Sequence, residues 1–158
     1  MNTWYKKYFW LLLALMLFVA DRLTKFLVVK YLVFNRAVEV FPYFNLFFTL
    51  NSGAAFSFLS EAGDWHSWLF IIIGVTVGLL IVFWQLKIID NYWLKIALAL
   101  ILGGTLGNLF DRIIFGYVID FLDFYYSSSH FPAFNLADSA ICIGTAMLVI
   151  DMIRKKKF

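Results

Sequence analysis

Four long apolar segments alternate with more polar connections along the 158-residue chain. A helix that spans a bilayer needs about 20 consecutive, mostly apolar residues, and each of these segments is close to that length. The pattern predicts an all-α membrane protein with four transmembrane helices, forming a single integral membrane domain over residues 1–158. We expect the helices at about residues 8–29, 67–86, 94–111 and 134–152.

Two of the connections, at about residues 30–66 and 112–133, are long enough to carry structure of their own. With four helices, both must lie on the same side of the membrane. The first contains Val38–Phe41 and Phe44–Leu50, two runs of β-branched and aromatic residues that favour short strands. We therefore expect a small β-sheet or hairpin in this first outer loop, resting on the membrane surface.

Composition agrees with a membrane location. Hydrophobic residues make up 63% of the chain and charged residues 15%, whereas soluble domains are about half apolar and about a quarter charged. So much apolar surface cannot be hidden inside so short a chain, and most of it must face lipid. The single cysteine excludes an intrachain disulfide framework and a cysteine-rich metal site.

The net charge of +3 is explained by membrane orientation rather than by nucleic-acid binding, because the basic residues flank the apolar segments. Eight of them fall on one predicted side and three on the other. Cytoplasmic loops carry the excess of Lys and Arg, so both termini are predicted to be cytoplasmic. The eight are Lys6, Lys7, Lys87, Lys95, Arg154, Lys155, Lys156 and Lys157; the three are Lys30, Arg36 and Arg112.

This topology places the polar residues of the apolar segments at one depth, near the outer interface. Ionisable groups within a membrane are costly, and they usually mark a functional site or a paired structural one. The inner halves of the predicted helices are nearly free of charge. The polar residues at the outer depth are Asp21, Lys25, Asn108, Asp111, Arg112, Asp120, Asn135 and Asp138.

Helical spacing indicates ion pairs among some of these groups. Asp21 and Lys25 are four residues apart and share a helix face. Lys25 and Arg112 could neutralise Asp21 and Asp111, which would make those two carboxylates structural. Asp123 is expected to be a solvated charge at the interface, with a supporting role at the site as the alternative.

Asp120 and Asp138 differ because neither has a basic neighbour at helical spacing. Carboxylates in apolar surroundings have raised pKa values. If these two approach each other they would share one proton, as the two carboxyls of aspartic peptidases do. One would then take a proton from water while the other donates a proton to the substrate carbonyl.

Other chemistries have less support. Asn51-Ser52-Gly53 lacks the first glycine of the GxSG motif of intramembrane serine peptidases, and no serine lies at helical spacing beside Lys25. A small proton-coupled transporter would also use membrane carboxylates, but it predicts charges spread through the membrane depth. A structural or assembly subunit of a membrane complex would keep its function without Asp120 and Asp138.

Five motifs, in order along nearly the whole chain, resemble those of the bacterial lipoprotein signal peptidase family, also called signal peptidase II. Each is weak alone, but the ordered set is specific. One small departure is Arg22, where a neutral Gln is frequent in the family. The motifs are Ala20–Lys25, Asn51–Ser57, Gly104–Arg112, Val118–Phe121 and Phe134–Ser139.

The resemblance implies that Asp120 and Asp138 are the catalytic dyad of an aspartic endopeptidase. It implies no metal and no organic cofactor. Asp111 is expected to brace Arg112, and the outer loop with Asn51 is expected to cover the substrate. The residues that would line or brace the site are Asp21, Lys25, Asn51, Gly53, Asn108, Asp111, Arg112 and Asn135.

The resemblance also implies the substrate and the location. The substrate would be a lipoprotein precursor with a diacylglyceryl-modified cysteine, cleaved just before that cysteine. The enzyme would be a monomer of the bacterial inner membrane, in contact with membrane lipids and with no nucleic acid, and its site would be at the periplasmic face.

Overall fold

A computed structural model describes residues 3–53, 65–87 and 91–155. Within these ranges the chain forms four α-helices and four β-strands, with two strands after the first helix and two after the third. The parts of the predictions that fall on Ala54–Ser57, Lys156 and Lys157 lie outside the described residues. In chain order the elements are α1 (Thr3–Tyr31), β1 (Ala37–Phe41), β2 (Phe44–Asn51), α2 (Trp65–Lys87), α3 (Tyr92–Phe115), β3 (Val118–Tyr126), β4 (Ser129–His130) and α4 (Leu136–Lys155).

Three of the described helices are long and apolar enough to cross a membrane, namely Ser67–Lys87, Tyr92–Phe115 and Leu136–Lys155. Helix α1 has the length, at 29 residues, but it carries Asp21, Arg22 and Lys25 in its second half. The chain is therefore a helical membrane protein with three candidate spans, and a fourth span stays a prediction.

Helix α3 lies at the centre and packs against α1, α2 and α4. Most of its inward-facing residues are small or aliphatic, such as Ala97, Leu98 and Leu102, and these are buried. By contrast, α2 exposes most of its apolar side chains, including Ile72 and Leu79, as expected for a helix that faces lipid. The core around α3 is completed by Trp10, Ala14 and Ile81.

Glycines on α3 allow this close packing. A Cβ atom on Gly103 would lie 2.7 Å from the carbonyl oxygen of Ala14 on α1. Small residues let helix backbones approach each other in lipid, and the Gly103–Gly107 spacing on α3 allows this close contact. The Gly74–Gly78 pair of α2 packs less tightly, since a Cβ on Gly78 would have its nearest neighbour 3.9 Å away.

Helix α3 is longer than predicted at its C-terminal end. It continues past Asp111 to Phe115, so that Arg112 lies within the helix rather than in an outer loop. Gly116 ends it with a φ of 81°, the left-handed conformation that glycine adopts without strain, and its N–H donates to the carbonyl of Arg112. The helix therefore carries Asn108, Asp111 and Arg112 on its last two turns.

The sheet is larger than predicted, because both outer connections contribute to it. The predicted strands of the first connection are confirmed as β1 and β2, but β3 and β4 come from the second. All four strands are antiparallel in the order β1-β2-β3-β4, with Thr49 opposite Asp120. A bridge between Leu122 and Phe134 then places the segment before α4 against β3.

The glycine contacts generate a stability prediction. Gly103→Ala should lower the free energy of unfolding by about 1–3 kcal/mol, because the added methyl group would overlap the α1 backbone. Gly78→Ala is the matched control and should leave it nearly unchanged. Thermal unfolding of the purified proteins in one detergent would compare them, and equal midpoints would contradict the packing.

Candidate active site

Asp120 lies on β3 with both carboxylate oxygens occupied by amide donors. The Asn51 amide at the end of β2 donates to Oδ2 over 2.9 Å, and the Asn135 amide before α4 donates to Oδ1 over 2.6 Å. The side chain is 1% exposed. Two strands and the start of a helix therefore fix the position of this carboxylate.

Asp138 lies on the first turn of α4 and caps that helix together with Asn135. The Asn135 side chain accepts from the Asp138 N–H over 2.9 Å, and the Asp138 carboxylate accepts from the Asn135 N–H over 3.2 Å. This reciprocal arrangement is a capping box. The other Asp138 oxygen accepts from the Asn108 amide of α3 over 2.7 Å. Asp138 is only half-buried, so it is open to a ligand.

Asn135 joins the two carboxylates. Its amide nitrogen contacts Asp120, and its amide oxygen holds the backbone of Asp138. The structure therefore brings together the two aspartates that were predicted to approach each other, although 17 residues separate them in the sequence. Asn51, Asn108 and Asn135 supply neutral donors to the pair, and no cation forms an ion pair with either carboxylate among the described residues.

The pKa of the Asp120 carboxyl is raised to about 6, and burial is the main cause. The negative charge of Asp138 contributes to this rise, while the hydrogen bonds from Asn51 and Asn135 favour the ionised form and oppose it. The predicted upward shift is thus confirmed for Asp120. A carboxyl that titrates near neutrality can carry a proton in one step and release it in the next.

Behind the pair lies a charge cluster between α1 and α3. Lys25 Nζ lies 2.9 Å from Asp21 and 2.8 Å from Asp111, and all three side chains are fully buried. Arg22 forms a further ion pair with Asp111, and its guanidinium lies 4.6 Å from the centre of the Phe110 ring. The cluster is neutral in sum, with two cations and two anions. The predicted pair of Asp21 and Lys25 is confirmed.

The predicted pair of Asp111 and Arg112 is wrong. Asp111 faces α1, where Lys25 and Arg22 neutralise it. Arg112 is the next residue along the helix, about 100° away, and its guanidinium lies 4.8 Å from the centre of the Phe70 ring on α2. Its Nε is buried without a hydrogen-bond partner among the described residues. Adjacent helical residues point to different neighbours, which the motif alone did not reveal.

The end of β2 is shaped by Gly53. Its N–H donates to the Asn51 side chain over 2.9 Å, which orients the amide toward Asp120. Its φ is 86°, and a Cβ atom would lie 2.6 Å from the Phe70 ring. Both observations favour glycine over any other residue here.

Two polar features were missed or misjudged from the sequence. Asp123 is 3% exposed rather than solvated, because Asn45 donates to it over 2.9 Å and His130 lies 3.0 Å away. It supports the sheet rather than Asp120. In the family motif Arg22 stands out only as a departure from Gln, yet it partners Asp111 across 89 positions of sequence. Neither contact follows from local spacing.

The arrangement suits acid–base chemistry on a bound molecule. Asn135 contacts two carboxyls. The pKa of the Asp120 carboxyl is raised, and Asp138 is half-buried. Such a pair can take a proton from water and give one to a carbonyl oxygen. Within the described ranges, His, Cys, Asp and Glu side chains form no group of three or more that could hold a metal ion.

A protein-family model described as signal peptidase (SPase) II matches residues 13–154. The chain belongs to the signal peptidase II family. It is therefore a membrane aspartic peptidase, a hydrolase. A lipoprotein signal peptidase of Vibrio vulnificus (strain CMCP6) is 48% identical over 151 residues, which cover 94% of this chain and 90% of the relative. One of Aeromonas hydrophila is 49% identical over 150 residues, covering 94% and 90%.

Solved structures agree with the signal peptidase II assignment. A bacterial membrane enzyme determined by the in meso method at 2.3 Å resolution superposes with a TM-score of 0.80 at 30% identity, covering 93% of this chain and 88% of that one. A second, determined by the same method at 1.9 Å resolution, has a TM-score of 0.79 at 31% identity, covering 90% and 91%. These matches support the peptidase prediction and give no support to a transporter.

The charge cluster generates a stability prediction for this signal peptidase II chain. Lys25→Met should lower the free energy of unfolding by about 3–5 kcal/mol, because it removes one partner of buried ion pairs and leaves Asp21 uncompensated. Combining it with Asp21→Asn should restore part of the loss. Chemical denaturation in detergent micelles would measure both proteins.

The matched control is Lys30→Met, an exposed lysine at the end of the same helix. It should change the free energy of unfolding by no more than about 0.5 kcal/mol. If the two lysine variants unfold at the same denaturant concentration, Lys25 does not hold the cluster together.

Proposed function

We propose that this chain removes the signal peptide from diacylglyceryl-modified lipoprotein precursors, cleaving the peptide bond before the lipidated cysteine. Asp120 and Asp138 form the catalytic dyad. The observation that carries the proposal is the contact of Asn135 with both residues, since it holds two carboxyls from different elements at one point. The names of the relatives, lipoprotein signal peptidases, supply the substrate class.

The reaction uses one protonated and one ionised carboxyl. The ionised carboxylate takes a proton from a water molecule, whose oxygen attacks the carbonyl carbon of the scissile bond. The protonated carboxyl donates its proton to the carbonyl oxygen. When the tetrahedral intermediate collapses, the C–N bond breaks and the leaving nitrogen takes a proton from the dyad. The products are a new carboxylate on the signal peptide and a free amine on the lipidated cysteine.

The neutral amides around the dyad suit this chemistry. Asn51, Asn108 and Asn135 hold the carboxylates in place without fixing their charge, whereas a lysine or arginine in direct contact would keep both ionised. Arg112 has a buried, unpartnered Nε and lies close enough for its charge to act on Asp138 and Asp120. It is available to the substrate backbone rather than committed to Asp111.

We infer that α1 is a fourth membrane span. Its charged residues Asp21 and Lys25 are turned inward and fully buried, while Leu12, Leu15 and Leu23 on its outer surface are exposed. Lipid would therefore meet an apolar face along this helix. The charged residues Asp21, Arg22 and Lys25 of α1 all belong to the cluster with α3.

The distribution of basic residues supports an orientation. Lys87, Arg154 and Lys155 lie at the ends of α2 and α4 that are remote from the dyad. By the positive-inside rule these ends face the cytoplasm, with both termini, and the dyad with its sheet faces the periplasm of a bacterial inner membrane. The whole chain then forms one membrane domain that works as a monomer. The lipid tails of the substrate lie against the apolar helix surfaces, with the scissile bond at interface depth.

Removal of either dyad charge should abolish the reaction. We expect Asp120→Asn and Asp138→Asn to lose cleavage of a diacylglyceryl-modified precursor by at least about 1,000-fold, because each deletes a proton-transfer group. A gel-shift assay with purified protein in detergent would measure loss of the signal peptide. Asp151→Asn, at the far end of α4, is the matched control and should cleave normally. Turnover by a folded dyad variant would remove Asp120 or Asp138 from the chemistry.

Activity should depend on pH through the dyad. The active form holds one proton, and since the Asp120 pKa lies at about 6, kcat/KM should fall as the pH rises through that region. Asn51→Ala removes a hydrogen bond that favours the ionised form, so the alkaline limb should move to higher pH. Initial rates between pH 4 and 9 would test this, and a limb that moves down or stays fixed would contradict the role of Asn51.

A further inference from the structure

Each proposed catalytic aspartate is preceded by a residue whose backbone N–H is held by another carboxylate. The N–H of Ala137, just before Asp138, donates to Asp21 Oδ1 over 3.1 Å. The N–H of Ile119, just before Asp120, donates to Asp111 Oδ2 over 3.3 Å. The two contacts are equivalent in kind, although one joins α1 to α4 and the other joins α3 to β3.

A single cation joins these two contacts. Lys25 Nζ binds the Oδ2 atoms of both Asp21 and Asp111, at 2.9 and 2.8 Å. It also donates to Asn108 Oδ1 over 3.2 Å, and the amide nitrogen of Asn108 in turn donates to Asp138. The ammonium group thus lies behind the dyad and touches the supports of both catalytic segments.

We propose that Asp21 and Asp111 are separate positioning residues, Asp21 for Asp138 and Asp111 for Asp120, with Lys25 fixing the distance between them. This inference rests on the proposed function of the dyad. Neither carboxylate belongs to the reacting pair, and both are fully buried behind it. Their effect on the reaction therefore passes through the backbone of Ala137 and Ile119.

The physical reason lies in the strength and direction of these contacts. Hydrogen bonds to an ionised acceptor are about twice as strong as neutral ones, and the surrounding apolar helices strengthen them further. A catalytic group displaced by about 1 Å can lose about 100-fold in rate. A carboxylate that holds the N–H of the preceding residue fixes the backbone one residue before the catalytic aspartate, and so restrains where that side chain begins.

Arg22 keeps this arrangement neutral. Without it, one lysine would face two carboxylates in a buried cluster, and one of them would carry an uncompensated charge. Arg22 binds the Asp111 oxygen that Lys25 and Ile119 do not use, so all three contacts are made at once. Its side chain is 20% exposed and reaches the cluster from the outer surface of α1.

Hydrogen exchange measured by mass spectrometry would separate the two roles. Asp111→Ala should speed exchange roughly tenfold in peptides that contain Ile119 and leave those that contain Ala137 unchanged. Asp21→Ala should give the opposite pattern. Equal acceleration of both segments by both variants would overturn the proposal, since it would show one shared structural role.

Kinetics on the folded fraction would supply the second readout. Both variants should lower kcat by roughly 100-fold with KM little changed, because neither Asp21 nor Asp111 contacts the substrate. Asp151→Asn should keep the wild-type kcat. Loss of protection at Ile119 with an unchanged kcat would overturn the proposal. A folded wild type that cleaves no precursor would instead overturn the proposed function, and the exchange pattern would still decide the anchoring.

Two further variants cover the case in which Asp21→Ala or Asp111→Ala does not fold. Gly107→Ala leaves every charge in place, but its Cβ would lie 2.5 Å from Asp21 Oδ2 and 3.2 Å from the Ala137 Cβ. It should therefore disturb the contact between Asp21 and Ala137 and leave the Ile119 segment unchanged. Asp111→Asn combined with Arg22→Gln keeps an acceptor for the Ile119 N–H in a neutral cluster. The kcat of this double variant should be about tenfold higher than that of Asp111→Asn alone. Equal kcat values for the two would overturn the anchoring role.

Discussion

The cost of placing carboxylates among apolar helices governs the arrangement of this protein. Four aspartates lie near one level of the helix bundle, and they have two kinds of partners. Asp21 and Asp111 are neutralised by Lys25 and Arg22, while Asp120 and Asp138 receive neutral amide donors. The charges of the first pair are thereby compensated within the bundle. Among the described residues no cation forms an ion pair with the second pair, and these are the two carboxyls that we propose exchange protons in the reaction.

The fold serves to bring these two pairs together. Glycines let α3 lie against α1 and α4, so that side chains from three helices reach the same level. The sheet then carries Asp120 to the end of the bundle, and the short bridge between Leu122 and Phe134 places the start of α4 beside it. Asn135 follows directly after that bridge. Its amide can therefore contact a residue of the sheet and a residue of the helix at once.

Much of this was predictable from local sequence. Apolar length predicted the helices, β-branched and aromatic runs predicted β1 and β2, and the ordered motifs indicated the family and the two aspartates of the proposed dyad. Contacts between distant residues were not predictable, because spacing along a helix shows which side chains share a face but not what that face meets. Asp111 was therefore paired with Arg112 instead of Arg22. Strand β3 was not predicted, because Asp120 and Asp123 interrupt its apolar run. Gly116, which ends α3, was a signal in the sequence that the predicted helix end at about residue 111 did not use.

The central claim is that Asp120 and Asp138 act together on the scissile bond. A crystal structure with a diacylglyceryl-modified peptide, in which a hydroxyl-bearing carbon replaces the scissile carbonyl, would test it most directly. We expect that hydroxyl to lie within about 3.2 Å of an oxygen of each carboxylate, with Asn135 still in contact with Asp120. A peptide bound with its hydroxyl in contact with only one of the two carboxylates, or with neither, would contradict the dyad.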